Sequence, residues 1–173
     1  MNKKIMYIVT ILSTAVLLFL DQIAKYLAVL HLKGQAAIPI IKDVFELQYL
    51  ENQGAAFGIM QGKKTLFVIG TLIFLVIVVI LYHNIPLTKR FTPIRIVAVL
   101  IVAGAIGNMI DRVVHQYVID FFYFKLINFP IFNVADIYVV VACILFILLM
   151  LFYYKEEELG QIFPFMKSKK AKE

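Results

Sequence analysis

An α-helical integral membrane protein, with four transmembrane helices and a small extracytoplasmic β element, is the fold class this sequence predicts. Three observations predict it. Hydrophobic residues make up 62% of the 173, against roughly 45–50% in soluble domains. Four long apolar runs are separated by three shorter polar stretches. One of those stretches alternates apolar and polar residues with a period of two, the mark of a half-buried strand. With this much chain spent on crossing a bilayer, a single membrane-embedded domain over 1–173 is expected. The net charge of +6 reads as a topology signal, which leaves no reason to expect a nucleic-acid partner. Cys143 is the one cysteine, which excludes an internal disulfide and a zinc-finger reading.

The first span, about 5–25, follows Lys3 and Lys4 and continues helically to Leu32. A basic start before an apolar run also begins a signal peptide, but no small-residue cleavage site follows closely, so a retained span is expected. Asp21 and Lys25 stand four residues apart on one helix face. Spacing alone suggests an interfacial ion pair worth about 0.3–0.5 kcal/mol.

The β element is expected over about 34–62, where Pro39 and four glycines enter and 44–50 (VFELQYL) alternates. Within it, 52–58 (NQGAAFG) sets amides beside small residues. Such a stretch lets backbone approach a ligand closely, or simply turns. Charge-free residues 66–82 form the second span and 94–112 the third, joined by a short polar connection with Pro86, Lys89, Arg90 and Pro93. The fourth span is 134–154, followed by Glu156, Glu157, Glu158 and a lysine-rich tail read as a solvated end. Four spans place both termini on one side, and the basic residues make that side cytoplasmic. The polar segments 34–62 and 111–133 then face outward.

On the third span Gly104, Asn108 and Arg112 recur every four residues, a stripe down one face. Gly104 and Gly107 have a plain use in close helix packing. Asn108 and Arg112 need partners that lipid does not offer, and Asp111 is one candidate. Asp120 sits among Tyr117, Val118, Ile119, Phe121 and Phe122, surroundings that disfavour its charge. Asn133 can cap the fourth span with Asp136 in its first turn. A carboxylate at membrane depth costs about 2.5–3.5 kcal/mol. Two of them brought together, one keeping a proton and one losing it, form a pair able to activate water. Caps and structural ion pairs account for the same residues, and spacing does not decide whether the two carboxylates meet.

Five stretches, LDQIAK (20–25), NQGAAFG (52–58), GAIGNMIDR (104–112), VIDF (118–121) and FNVAD (132–136), taken in this order resemble lipoprotein signal peptidase, also called signal peptidase II. The resemblance spans most of the chain. It implies a membrane aspartic endopeptidase of the bacterial cell membrane, cutting prolipoproteins before the diacylglyceryl-modified cysteine, with no metal or cofactor. Asp120 and Asp136 would be the catalytic pair. Asn133 would orient the site, Asn52 and Gly54 would line the cleft, and Gly104, Asn108 and Arg112 would contact substrate or hold the site. Asp21 and Lys25 would support it, and membrane lipid would surround it. Two departures are visible: Gln116 where the family often has glycine, and Ile137 where serine is common. The β element and the 113–130 loop, rich in Phe121, Phe122, Tyr123 and Phe124, are expected to close over the site as a lid. Rival readings are a small proton-coupled carrier, which should place ionisable groups near mid-span and often shows repeats, and a non-enzymatic scaffold.

Overall fold

The computed structural model describes residues 2–54 and 63–163. Helix α1 (Lys3–Leu32) is capped by the Asn2 side chain, which accepts from Lys4 N. It is followed by β1 (Ile38–Ile41) and β2 (Phe45–Asn52). Helix α2 (Lys64–Asn84) leads through a 3-10 turn at Lys89–Phe91 into α3 (Thr92–Val114), which starts with a proline in its first turn where no donor is needed. Strand β3 (Val118–Tyr123) comes next, then a 3-10 turn at Lys125–Ile127 and α4 (Val134–Leu148), which runs on as a π turn over Leu149–Tyr153. A short helix α5 (Glu156–Ile162) ends the described chain.

Four of these helical segments are long and apolar enough to cross a membrane: Lys3–Leu32, Lys64–Asn84, Lys89–Val114 and Val134–Tyr153. Their outer faces expose large apolar side chains, among them Ile11, Leu12, Val79 and Leu151, as lipid-facing helices do. The third is the most enclosed. Gly104 makes this possible, since a Cβ there would lie 2.5 Å from the Ala135 carbonyl oxygen. Helices α3 and α4 therefore pack backbone to backbone.

The three strands form one antiparallel sheet in the order β1-β2-β3. The alternation in 44–50 does mark a strand, but its faces are not sorted as expected. Glu46 is buried, with Lys125 as its partner at 3.3 Å. Strand β3 lies in a stretch read as loop, and it is what makes the sheet three-stranded. Its residues Val118, Ile119, Asp120 and Phe121 are all buried. The expected aromatic lid thus has Phe121 in a core with Ala28 and Leu32 of α1, while Phe122 stacks against Phe45. The sequence after Tyr154 is likewise more than a solvated end. Leu159 and Ile162 of α5 join a core with Tyr82, Phe91 and Ile94, and Arg90 pairs with Glu158 at 2.9 Å. Residues 55–58 of the NQGAAFG motif and the lysines of the tail lie outside the described residues.

Gln116 adopts φ +73° just before β3. This left-handed conformation is one that glycine takes without cost and a side chain does not. The departure at this position therefore carries local strain.

Candidate active site

The site is built where β3 hands over to α4. Phe122 and Phe132 exchange backbone hydrogen bonds in both directions, and Phe121 N also donates to Phe132 O. This pairing brings the residue after Phe132 beside the residue before Phe121. Asn133 Nδ2 consequently donates to Asp120 Oδ1 at 2.6 Å. Asn133 also begins α4: its Oδ1 accepts from Asp136 N, and Asp136 Oδ2 accepts from Asn133 N, both at 3.0 Å. That is a complete capping box, with aspartate in the place usually held by Glu or Gln. The capping and catalytic readings of Asn133 and Asp136 are therefore compatible, since one residue holds both carboxylates, Asp120 through its side-chain amide and Asp136 through its backbone N–H.

Each carboxylate has a second donor. Asn52 Nδ2, at the end of β2, reaches Asp120 Oδ2 at 2.8 Å, and the Asn52 carbonyl oxygen of the side chain accepts from Gly54 N at 3.0 Å. Asn108 Nδ2 reaches Asp136 Oδ1 at 2.7 Å while its own Oδ1 accepts from Asn133 Nδ2 at 3.1 Å. Arg112 spans the two sides: Nη1 donates to the Asn108 carbonyl at 3.3 Å and Nη2 to the Gly54 carbonyl at 3.2 Å. Its guanidinium also lies 4.7 Å from the centre of the Phe67 ring of α2.

Asp120, Asp136, Asn52, Gly54, Asn108 and Arg112 line one cleft of about 560 Å³. Beyond them the wall is apolar, with Phe129 and Pro130 on one side and Ile137, Val139, Val140 and Val141 of α4 on the other. Ile137, the second departure, adds to that apolar wall. The two carboxylates differ in setting. Asp120 is 1% exposed, and burial, followed by the nearby Asp136 charge, pushes its carboxyl up to about 7. Asp136 is half-buried at the cleft.

Gly104 lies one layer back, at the α3–α4 crossing. Asp21 and Lys25 pair at 3.0 Å but are 0% and 1% exposed, so the interfacial ion pair expected from spacing is instead fully buried beneath the site. Two residues outside the expected set belong here as well. Asp111 pairs with Lys25 at 2.9 Å, and Gln22 bridges Asp21 and Asp111 at 3.1 and 3.2 Å. Asp111 stands within the GAIGNMIDR motif and was visible only as a partner for its neighbours; its actual partner, Lys25, is on another helix.

Two aspartates tied by one asparagine, at a cleft whose apolar wall runs down a membrane helix, are an arrangement that fits a membrane-embedded aspartic hydrolase. The comparisons agree. A sequence profile of the family described as signal peptidase (SPase) II matches residues 13–152. The lipoprotein signal peptidase of Clostridium novyi is 44% identical over 131 residues, covering 74% of this chain and 87% of that protein. That of Halothermothrix orenii is 39% identical over 132 residues, covering 76% and 88%. A solved bacterial membrane enzyme superposes with a TM-score of 0.72 at 32% identity, covering 84% of this chain and 94% of that one. The chain belongs to the signal peptidase II family, and is an aspartic endopeptidase of that type in a multi-pass bacterial membrane protein. The carrier and scaffold readings are not favoured.

Proposed function

We propose that this protein removes the signal peptide from prolipoproteins, cutting before a diacylglyceryl-modified cysteine, with Asp120 and Asp136 as the reacting pair. The observation that carries the residue assignment is the double hold of Asn133 on both carboxylates at one cleft. Asp120, whose carboxyl keeps its proton to about pH 7, is the acid. Asp136, facing the cleft, is the base. Asp136 takes a proton from water as the water attacks the scissile carbonyl. Asp120 hydrogen-bonds the developing oxyanion, and the pair returns a proton to the leaving amine. Asn52, Asn108 and Asn133 donate to fixed carboxylate oxygens, so the pair needs little reorganisation as charge moves.

The walls of the cleft support this substrate class. Valines 139 to 141 continue the cleft along α4 and suit an apolar signal segment lying against that helix. Phe129 and Pro130 offer apolar surface to acyl chains at the cysteine. Lys3, Lys4, Lys89 and Arg90 lie at the opposite ends of the spans from the aspartates, which supports a topology with both termini in the cytoplasm and the site towards the outer face. The test is cleavage of a prolipoprotein with and without the diacylglyceryl group by purified protein. The lipidated form should yield a product beginning at the modified cysteine, and the unlipidated form should be cut far more slowly. Equal cleavage of both would refute the lipid requirement.

A further inference from the structure

Beneath the cleft lies a second polar cluster that touches neither substrate space nor water. The Lys25 ammonium has three acceptors: Asp21 Oδ2 at 3.0 Å, Asp111 Oδ2 at 2.9 Å and Asn108 Oδ1 at 3.0 Å. All three ionic side chains are at most 2% exposed. Simple stabilisation is a poor explanation, because apolar residues of similar volume often stabilise as well as a buried ion cluster or better. The remaining lone pairs suggest the use. Asp21 Oδ1 accepts from the backbone N of Ala135 at 2.9 Å, and Asp111 Oδ2 accepts from the backbone N of Ile119 at 3.1 Å. Ala135 immediately precedes Asp136, and Ile119 immediately precedes Asp120.

We infer that Asp21, Lys25 and Asp111 form a positioning device for the two aspartates of the site, each carboxylate gripping the peptide N–H one residue before one of them. Asp111 sets the β3 backbone at Asp120. Asp21 sets the first turn of α4 at Asp136, and Lys25 ties both carboxylates to Asn108, the donor to Asp136. Gln22 completes the link through Asp21, Asp111 and the Gly107 carbonyl at 3.4 Å. Gly107 belongs to the same device. A Cβ there would lie 2.5 Å from Asp21 Oδ2 and 3.3 Å from Ala135 Cβ, so the glycine makes room first for the carboxylate and also for the start of α4. None of the three ionic residues lines the cleft, so they act through the aspartates they hold.

This inference rests on Asp120 and Asp136 being the reacting groups, and the test keeps the two claims apart. Steady-state cleavage of a lipidated prolipoprotein is measured for Asp111→Asn, Asp111→Ala, Gly107→Ala and Asp120→Asn, each checked for folding by thermal unfolding in detergent. Asn keeps an acceptor for the Ile119 N–H, so Asp111→Asn should stay within about fivefold of wild-type kcat, while Asp111→Ala falls about 100-fold, the cost typical of a 1 Å misplacement. KM should change little, because the cleft lining is intact. Gly107→Ala deletes no polar group yet displaces Asp21, and should lower kcat by about tenfold or more. If Asp111→Ala does not fold, Gly107→Ala and Asp111→Asn still decide. Folded Asp111→Ala or Gly107→Ala with wild-type kcat overturns the device, as does an Asp111→Asn variant as impaired as a folded Asp111→Ala. Activity in Asp120→Asn would overturn the assignment of the pair itself.

Discussion

Replacing Asn133 by alanine removes a residue that does three things at once, and the structure allows each to be weighed. The side chain is 0% exposed, so its hydrogen bonds are shielded from bulk water. Losing the acceptor for Asp136 N is the loss of an N-cap, about 1 kcal/mol. Losing the donation to Asp120 leaves a buried carboxyl oxygen without that partner, about 1–3 kcal/mol, and losing that to Asn108 costs about 1 kcal/mol. Because the three share one side chain, a total near 3 kcal/mol of stability is expected rather than their sum. If about 2 kcal/mol of the lost orientation of the Asp120 carboxyl and the α4 cap persists in the transition state, kcat falls about 30-fold. Asn133→Ser separates the roles, since serine caps a helix well but cannot reach Asp120. The assay pairs thermal unfolding in detergent with cleavage of a lipidated prolipoprotein. Serine should restore much of the stability and little of the rate. Recovery of both, or a folded alanine variant within twofold of wild type, would refute the idea that Asn133 orients the pair.

Four further outcomes follow. With the Asp120 carboxyl at about 7, kcat/KM should decline as pH rises through that value; removing the Asn52 donor, which favours the ionised form, should move the decline to higher pH in Asn52→Ala, and an unmoved profile would count against Asp120 as the acid. The same shift has a sign for stability: the folded pKa exceeds the unfolded 3.8, the fold binds the proton more tightly, and stability should fall from about pH 4 to 7 and level off above. Gly104→Ala forces Cβ against the Ala135 carbonyl at 2.5 Å and Val139 Cγ2 at 2.7 Å; overpacking of this kind costs about 1–3 kcal/mol, read as a lower unfolding temperature. Gln116→Gly should raise that temperature slightly, by up to about 1 kcal/mol of stability, because it relieves a left-handed side-chain residue.

The membrane spans and the linear motifs were legible because hydropathy and spacing are local properties. The capping box was legible for the same reason, since Asn133 and Asp136 stand three apart. What could not be read was partnership across elements. Asp21 and Lys25 have the spacing of any surface pair, and only the convergence of α1 with α3 shows that they are buried with Asp111 as a third member. Strand β3 was missed because VIDFFY does not alternate; apart from Asp120 it is a continuous apolar run, the pattern of a strand covered on both faces. Helix α5 was missed because three glutamates dominate its start, whereas its docking depends on Leu159 and Ile162, and on Glu158 meeting Arg90 from a distant connection.

The central claim is that Asp120 and Asp136 together perform the cleavage. The most direct measurement is single-turnover cleavage of a diacylglyceryl-modified prolipoprotein by wild type, Asp120→Asn and Asp136→Asn, with folding of each verified. Both substitutions are close to isosteric and leave the cleft walls in place. The account predicts product beginning at the modified cysteine for wild type and none above background for either variant. Substantial cleavage by either folded variant would contradict it.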